Sequence, residues 1–286
     1  MAGGPIFIAG LSYSGKTQLR MLLSAHPNIV ITRRTYMWRK FYNRFGNLSD
    51  PKNLERCLDA MLSRKHILAL EPDPERIRRE FWQGAATYAR LFALFHEHHA
   101  ERLGKLRWGD QLGFVEKYAD LIFAAYPDAQ MIHMVRDPFE RTGESLSGSV
   151  RRLGKLGWEL AQWQFSAQLA QRNESQHAGR YLIVHCEELF SEPEKVLRAV
   201  CAFIDEDFIP KILEDVQFHE VQGPLTAPEQ NFIQSQVKPE MLFLGYRRST
   251  NLSAGETWKY LLAEYPANLA GMLLWNILKN RQREQL

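Results

Sequence analysis

Residues 5–19 read PIFIAGLSYSGKTQL, and their reading decides the fold. An apolar run, PIFIA, is short enough to be a buried strand. It runs into G-x-x-x-x-G-K-T, the spelling of a phosphate-binding P-loop, and Thr17 to Ala25 then reads as a helix that stops near His26-Pro27. Strand, glycine loop and helix start together make an anion site: backbone N–H groups of residues 12 to 17 turn inward and the helix N-terminus adds partial positive charge. Gly15 allows close backbone approach, Lys16 supplies a mobile cation, and Thr17 adds a hydroxyl for a phosphate oxygen or a metal.

The rest of the chain continues the alternation. NIVIT (28–32), LRWGD (106–110), AQMIHMV (129–135) and RYLIVHC (180–186) read as further strands, and AQMIHMV is the continuous apolar kind buried on both faces of a parallel sheet. Helices are expected over 51–103 with a Pro-rich break at EPDPER, over 116–125, from Asp137 as N-cap with Pro138 in the first turn, over about 155–174, and over 191–204 with Ser191 as cap. Asn268 to Leu278 reads as a packed C-terminal helix. The fold class is α/β: a three-layer arrangement with a mostly parallel central sheet, helices on both faces and a helical insertion at about 35–105, all in a single domain of 286 residues.

Composition narrows the classes further. A net charge of +3 gives no general argument for nucleic acid or membrane. No apolar stretch is long enough to span a bilayer and no signal peptide is legible, so a cytoplasmic protein with reduced thiols is the expectation. Cys57, Cys186 and Cys201 lie far apart without metal-ligand spacing. His133 reads as a buried core histidine and His26 as a helix end.

A nucleoside triphosphate with magnesium would need a carboxylate at the end of another strand. The strand 129–135 is instead followed first by Arg136, which suits a second phosphate through a two-pronged contact; the bland alternative pairs it with Glu140.

Six motifs in order resemble the PAPS-dependent sulfotransferases, and most of all their tyrosylprotein-sulfotransferase-like branch. They are GLSYSGKT (10–17), LLSAHPNI (22–29), WGDQLG (108–113), VRDPFERTGES (135–145), CEELFSEPE (186–194) and GYRRSTNLSAGETWKYL (245–261). The resemblance implies a 5′-phosphosulfate held by Tyr13, Ser14, Gly15, Lys16, Thr17 and Gln18. It implies a 3′-phosphate held by Arg136, with Glu144 or Ser145 nearby, and by Arg247 or Arg248. It further implies in-line transfer of a sulfuryl group to an acceptor hydroxyl or amine, PAP as product, and no metal, with Lys16 neutralising charge on the leaving phosphate.

Several family positions differ. The usual Arg or Lys is Tyr13, with the cation moved to Lys16. The serine eight residues after Arg136 is Glu144, whose carboxylate would repel a phosphate unless it faces away. The tyrosine of Y-E-D-L is Cys186, and the lysine of W-G-D-K is Gln111. The glutamate that serves the branch as catalytic base falls where this chain has Arg33 and Arg34, so Asp110, at a strand end, is the replacement candidate, with a loop carboxylate or helix cap as its alternative. Arg33 and Arg34 open a basic, aromatic stretch to Phe45 that is a candidate acceptor-binding surface, the alternative being a solvated helix. The acceptor is a small molecule, sugar or peptide, and a homodimer is compatible with the sequence. Two other readings remain: an ATP/Mg-dependent kinase-like phosphotransferase, and a non-catalytic nucleotide-binding relative.

Overall fold

The computed structural model describes residues 3–147, 152–214, 223–247, 258 and 260–283, with side chains as far as residue 279. Arg248 and the whole stretch 249–257 lie outside the described residues. Five strands, β1 (Ile6–Gly10), β2 (Ile29–Arg33), β3 (Arg107–Gln111), β4 (Gln130–Val135) and β5 (Tyr181–His185), form one sheet in the order β2-β3-β1-β4-β5. All neighbours are parallel; Phe7 of β1 lies opposite Asp110 of β3 and Met131 of β4, and Thr32 of β2 opposite Asp110.

The helices follow the chain. After β1 comes α1 (Lys16–Ala25). Between β2 and β3 lie α2 (Met37–Lys40), α3 (Pro51–Leu62), α4 (Lys65–Leu68), α5 (Pro74–Phe81) and α6 (Tyr88–Arg102). A 3-10 turn (Val115–Tyr118) leads into α7 (Ala119–Ala125). Next are α8 (Pro138–Ser147) and α9 (Lys155–Gln176), then α10 (Cys186–Ser191) and α11 (Pro193–Phe203), and last α12 (Ala227–Phe243) and α13 (Tyr265–Arg283).

Strand alternation explains the layers. Side chains on a strand point to opposite faces in turn. Ile6 and Ile8 of β1 therefore join Ile29, Ile31, Ile132 and Met134 under α1, α10 and α11. Phe7 and Ala9 face the other way, into a core filled by Met37, Trp38, Leu54, Phe81 and Phe92 from the helices between β2 and β3. A further cluster joins Leu11 and Val135 to α8, α9, α12 and α13 through Phe139, Leu160, Phe232 and Trp275. Because both faces are covered, β1, β3 and β4 are buried along their whole length.

Some local expectations needed correction. Of the basic stretch 33–45, only Met37–Lys40 is helical. Ser191 does not cap α11: it ends α10 and its hydroxyl donates to the Glu187 carbonyl at 2.9 Å. The C-terminal helix packs by one side only, burying Met272 and Trp275 while leaving Leu273, Leu274, Ile277 and Leu278 exposed. Asp137 does cap α8, accepting from the Phe139 amide at 2.8 Å. His26 terminates α1, its amide donating to the Leu23 carbonyl at 3.1 Å.

The sheet order positions the site. From β1 the chain moves toward β2, and from β4 it moves toward β5. The connections after adjacent strands β1 and β4 thus run in opposite directions, opening a crevice beyond their carboxyl ends where ligands of open sheets bind. The loop of residues 11–15 and Arg136 both flank that crevice.

Candidate functional site

The loop's backbone is set by two glycines and a tyrosine. Gly10 has φ 115° and Gly15 φ 78°, and Tyr13 adopts φ 66° between them. A Cβ on Gly10 would sit 2.3 Å from the Met134 carbonyl oxygen, and one on Gly15 2.7 Å from Cys186 Sγ. Both positions need glycine on conformational and steric grounds.

Four successive carbonyls of this loop are tied down by side chains. Gly10 O accepts from Lys16 Nζ at 2.8 Å and Leu11 O from Ser14 Oγ at 2.8 Å. Ser12 O accepts from Arg141 Nε at 3.3 Å and Tyr13 O from Arg136 Nη1 at 3.1 Å. In a trans peptide the N–H points opposite to the C=O, so fixing the carbonyls turns the loop amides to the other side, at the start of α1. Alternating left-handed residues of this kind make a nest for an anion. Tyr13 and Thr17 are exposed, Gln18 is half-buried, and Ser14 and Lys16 are buried.

Lys16 is held in an electrostatic balance. Burial pushes its ammonium down to about 8; Glu116 opposes this, while Arg141 and Arg34 add to it. Glu116 lies wholly buried beneath the loop, accepting from the Gly10 amide at 3.4 Å and from Ser166 Oγ at 2.7 Å. Ser166 meets His133 Nε2 at 3.0 Å, and His133 Nδ1 meets the Tyr181 hydroxyl at 2.6 Å. His133 is therefore a core histidine, as its place mid-strand suggests, but it belongs to a polar chain that supports the loop from below.

Arg136 is 5% exposed, and its Nη1 pairs with Glu144, one helical turn beyond Glu140 in α8. Burial lowers the Arg136 guanidinium, but the hydrogen bond to Glu144 and the charges of Cys186, Glu144 and Glu187 together outweigh it, so the group stays firmly cationic. The carboxylate does not face away from the arginine. It accepts from the arginine's Nη1. Ser145 is buried on the same helix, and its carbonyl accepts from Lys155 Nζ at 3.0 Å.

Arg141, which the sequence reading passed over, is equally central. It is 2% exposed, pairs with Glu159 at 2.6 Å and reaches the loop carbonyl of Ser12. Its spacing from Asp137 puts it on the inward side of the first turn of α8, a helical-face signal that was available in VRDPFERTGES. Tyr246, also unremarked, donates to Glu187 Oε2 at 3.2 Å, and Glu187 Oε1 accepts from the Asp137 amide at 2.8 Å. That bridge ties Tyr246 to the β4–α8 junction, and Arg247 beside it is exposed.

On the opposite flank, Asp110, next to last in β3, is fully buried. It accepts from Thr32 Oγ1 at 3.0 Å on one oxygen and from Thr35 Oγ1 on the other. Burial raises its carboxyl to about 6 even though these two threonines pull it down. Thr32 also meets His96 Nδ1 at 3.2 Å, and His96 stacks on Trp108. Arg33 and Arg34 are exposed at the end of β2, with the Arg34 amide donating to the Gln111 carbonyl at 3.1 Å.

A parallel α/β sheet with a glycine-loop anion cradle at β1 and a buried arginine after β4 defines a P-loop-like group-transfer fold. Comparison is more specific: residues 5–210 match the model of the Sulfotransferase family, and the chain belongs to that family. Its fold is similar to that of a sulfotransferase from Alicyclobacillus acidocaldarius, with TM-score 0.52 and 19% identity over 87% of this chain and 98% of that one. It is also similar to the sulfotransferase domain of the Synechococcus PCC 7002 olefin synthase, with TM-score 0.50 and 22% identity over 95% and 94% of the two chains. No curated protein matches the chain. Among the described residues no helix is long and apolar enough to cross a membrane, and no group of three or more His, Cys, Asp or Glu is placed to hold a metal ion.

Proposed function

We propose that the protein is a PAPS-dependent sulfotransferase that moves a sulfuryl group to a hydroxyl or amine of its acceptor. The observation that carries this reading is the pairing of the loop cradle with Arg136 across the β1/β4 crevice: two separate cationic sites, as a donor with a 5′-phosphosulfate and a 3′-phosphate requires. The chain's residues fit that donor. The amides of residues 12–17 and Lys16 suit the phosphosulfate, with Tyr13, Ser14, Gly15, Thr17 and Gln18 forming its cradle. Arg136, assisted by Ser145 and by Arg247 or Arg248, the latter outside the described residues, suits the 3′-phosphate, and Glu144 regulates access to Arg136.

When bound, PAPS supplies the activated sulfuryl group and a phosphate leaving group. Lys16 neutralises charge on the leaving oxygen, and its lowered pKa keeps it close to protonation equilibrium near pH 8. Asp110 takes up the acceptor's proton; a carboxyl raised to about 6 is matched to that task near neutral pH. Thr35, bonded to one of its oxygens, links it toward the end of β2. Calorimetric titration of the full chain with PAP tests the reading. Saturable binding that is abolished by Arg136→Ala and weakened by Lys16→Ala is expected; binding indifferent to both substitutions refutes it.

A further inference from the structure

The acceptor side of the sheet carries a concentration of cations for which the donor has no use. Arg33 and Arg34 are exposed at the end of β2, and among the described residues neither has a carboxylate within ion-pair distance. Ile29 and Ile31 pack under α1, so strand alternation brings Arg33 out on the α1 face. There it acts electrostatically on Arg20, whose buried Nε has no hydrogen-bond partner among the described residues. Burial and then Arg33 lower the Arg20 guanidinium.

Lys40 lies 5.1 Å over the Tyr36 ring, and Tyr36 is 6.3 Å from the His66 ring. His66 records the field of this surface: after burial, Lys65, Arg34, Arg33 and Lys40 hold its imidazole below the usual value. The backbone is strained in the same place. Arg34 has φ 56° and Tyr36 φ 57°, each a left-handed conformation that costs about 1 kcal/mol or more for a residue with a side chain. Strain and unrelieved like charge at one sheet edge are the pattern of a site that waits for an anion.

Its position says which anion. The donor's two anionic groups fall at β1 and β4, whereas β2 is two strands away on the other side of β1. At about 4.8 Å per strand, the arginines stand about 10 Å from the loop, the span of one sugar or aromatic ring with a substituent. The Arg34 amide donates to the Gln111 carbonyl at the end of β3, and Arg34 acts electrostatically on Lys16.

We propose that Arg33 and Arg34 bind an anionic group of the acceptor, a carboxylate or a sulfate or phosphate ester held about one ring away from the hydroxyl or amine that is sulfated. This rests on the sulfotransferase reading for the word acceptor, but the anion site stands on its own observations. The test is titration of the full chain, with PAP present at saturation, by pyrophosphate at constant ionic strength. The wild type is expected to bind one pyrophosphate without losing PAP. Arg33→Ala/Arg34→Ala is expected to weaken that binding at least tenfold while its PAP titration is unchanged, and Arg33→Lys/Arg34→Lys to weaken it less. Absence of pyrophosphate binding, equal affinity in the Ala variant, or displacement of PAP by pyrophosphate overturns the assignment. If PAP itself fails to bind but the Arg-dependent pyrophosphate site persists, the donor reading falls and the anion site survives.

Discussion

Replacing Gly15 by alanine separates the two demands made on the loop. Gly15 has φ 78° and ψ −1° at the start of α1, so alanine would bear a left-handed penalty of about 1–2 kcal/mol. The new methyl would also lie 2.7 Å from Cys186 Sγ and 3.3 Å from Met134 Cε, and overpacking of that kind costs about 1–3 kcal/mol. The sum, about 2–5 kcal/mol, corresponds to a Tm lowered by roughly 3–8 °C for a chain of this size.

Removing the sulfur distinguishes the contributions. Cys186→Ala alone is expected to cost about 1 kcal/mol as a small buried deletion. In the double variant the nearest remaining Cys186 atom is Cβ at 3.4 Å, an ordinary contact, so the packing part is relieved while the left-handed part persists. A double-mutant cycle by denaturant unfolding, followed by tryptophan fluorescence, should therefore show a favourable coupling of about 1–3 kcal/mol. Additive effects, within about 0.5 kcal/mol, would refute the packing of Cys186 against the loop. The point bears on function because the related motif has a tyrosine where this chain has Cys186, and the small residue lets α10 close onto Gly15.

Further outcomes follow from the charges. Glu144→Gln should tighten PAP about five- to tenfold in calorimetry, because it removes a carboxylate that competes for Arg136, a change of about 1–1.5 kcal/mol. PAP affinity of the wild type should be flat between about pH 7, above the second phosphate pKa of about 6, and pH 8, and fall above that as Lys16 deprotonates, whereas Lys16→Met should bind more weakly with no such fall. For Asp110 the folded carboxyl, at about 6, lies above its ordinary 3.8, so the native state holds the proton more tightly and stability declines as pH rises through that window. The loss amounts to about 3 kcal/mol by pH 7, and Asp110→Asn should flatten the slope between pH 4 and 6 in thermal unfolding.

Much of this architecture was legible in the chain. PIFIAG followed by a glycine loop, and AQMIHMV followed by Arg136, are local patterns: a buried strand, a turn that needs glycine, a helix cap. Asp137 and Pro138 announce α8 for the same reason. The support beneath the loop was not legible, because Glu116, Ser166 and His133 come from three elements and meet only once the sheet is assembled. Arg141 lay within reach of a helical-face argument, but its target, the Ser12 carbonyl, is a tertiary contact. The pairing of Arg136 with Glu144 could not be separated from one with Glu140 by spacing alone, since both sit on the same helix. Leu273, Leu274, Ile277 and Leu278 show the converse limit: apolar spacing marks a helix face without saying that anything covers it.

The central claim is tested most directly by thermal unfolding of the full chain against concentration series of PAP, PAPS, and ATP with magnesium. A ligand that binds only the folded state raises Tm with concentration, by about 2.7 kcal/mol at one hundred times its Kd. The account predicts such a rise with PAP and PAPS, lost in Arg136→Ala and reduced in Lys16→Ala. A rise only with ATP and magnesium would contradict it, making GLSYSGKTQL a nucleoside-triphosphate loop and the protein a phosphotransferase.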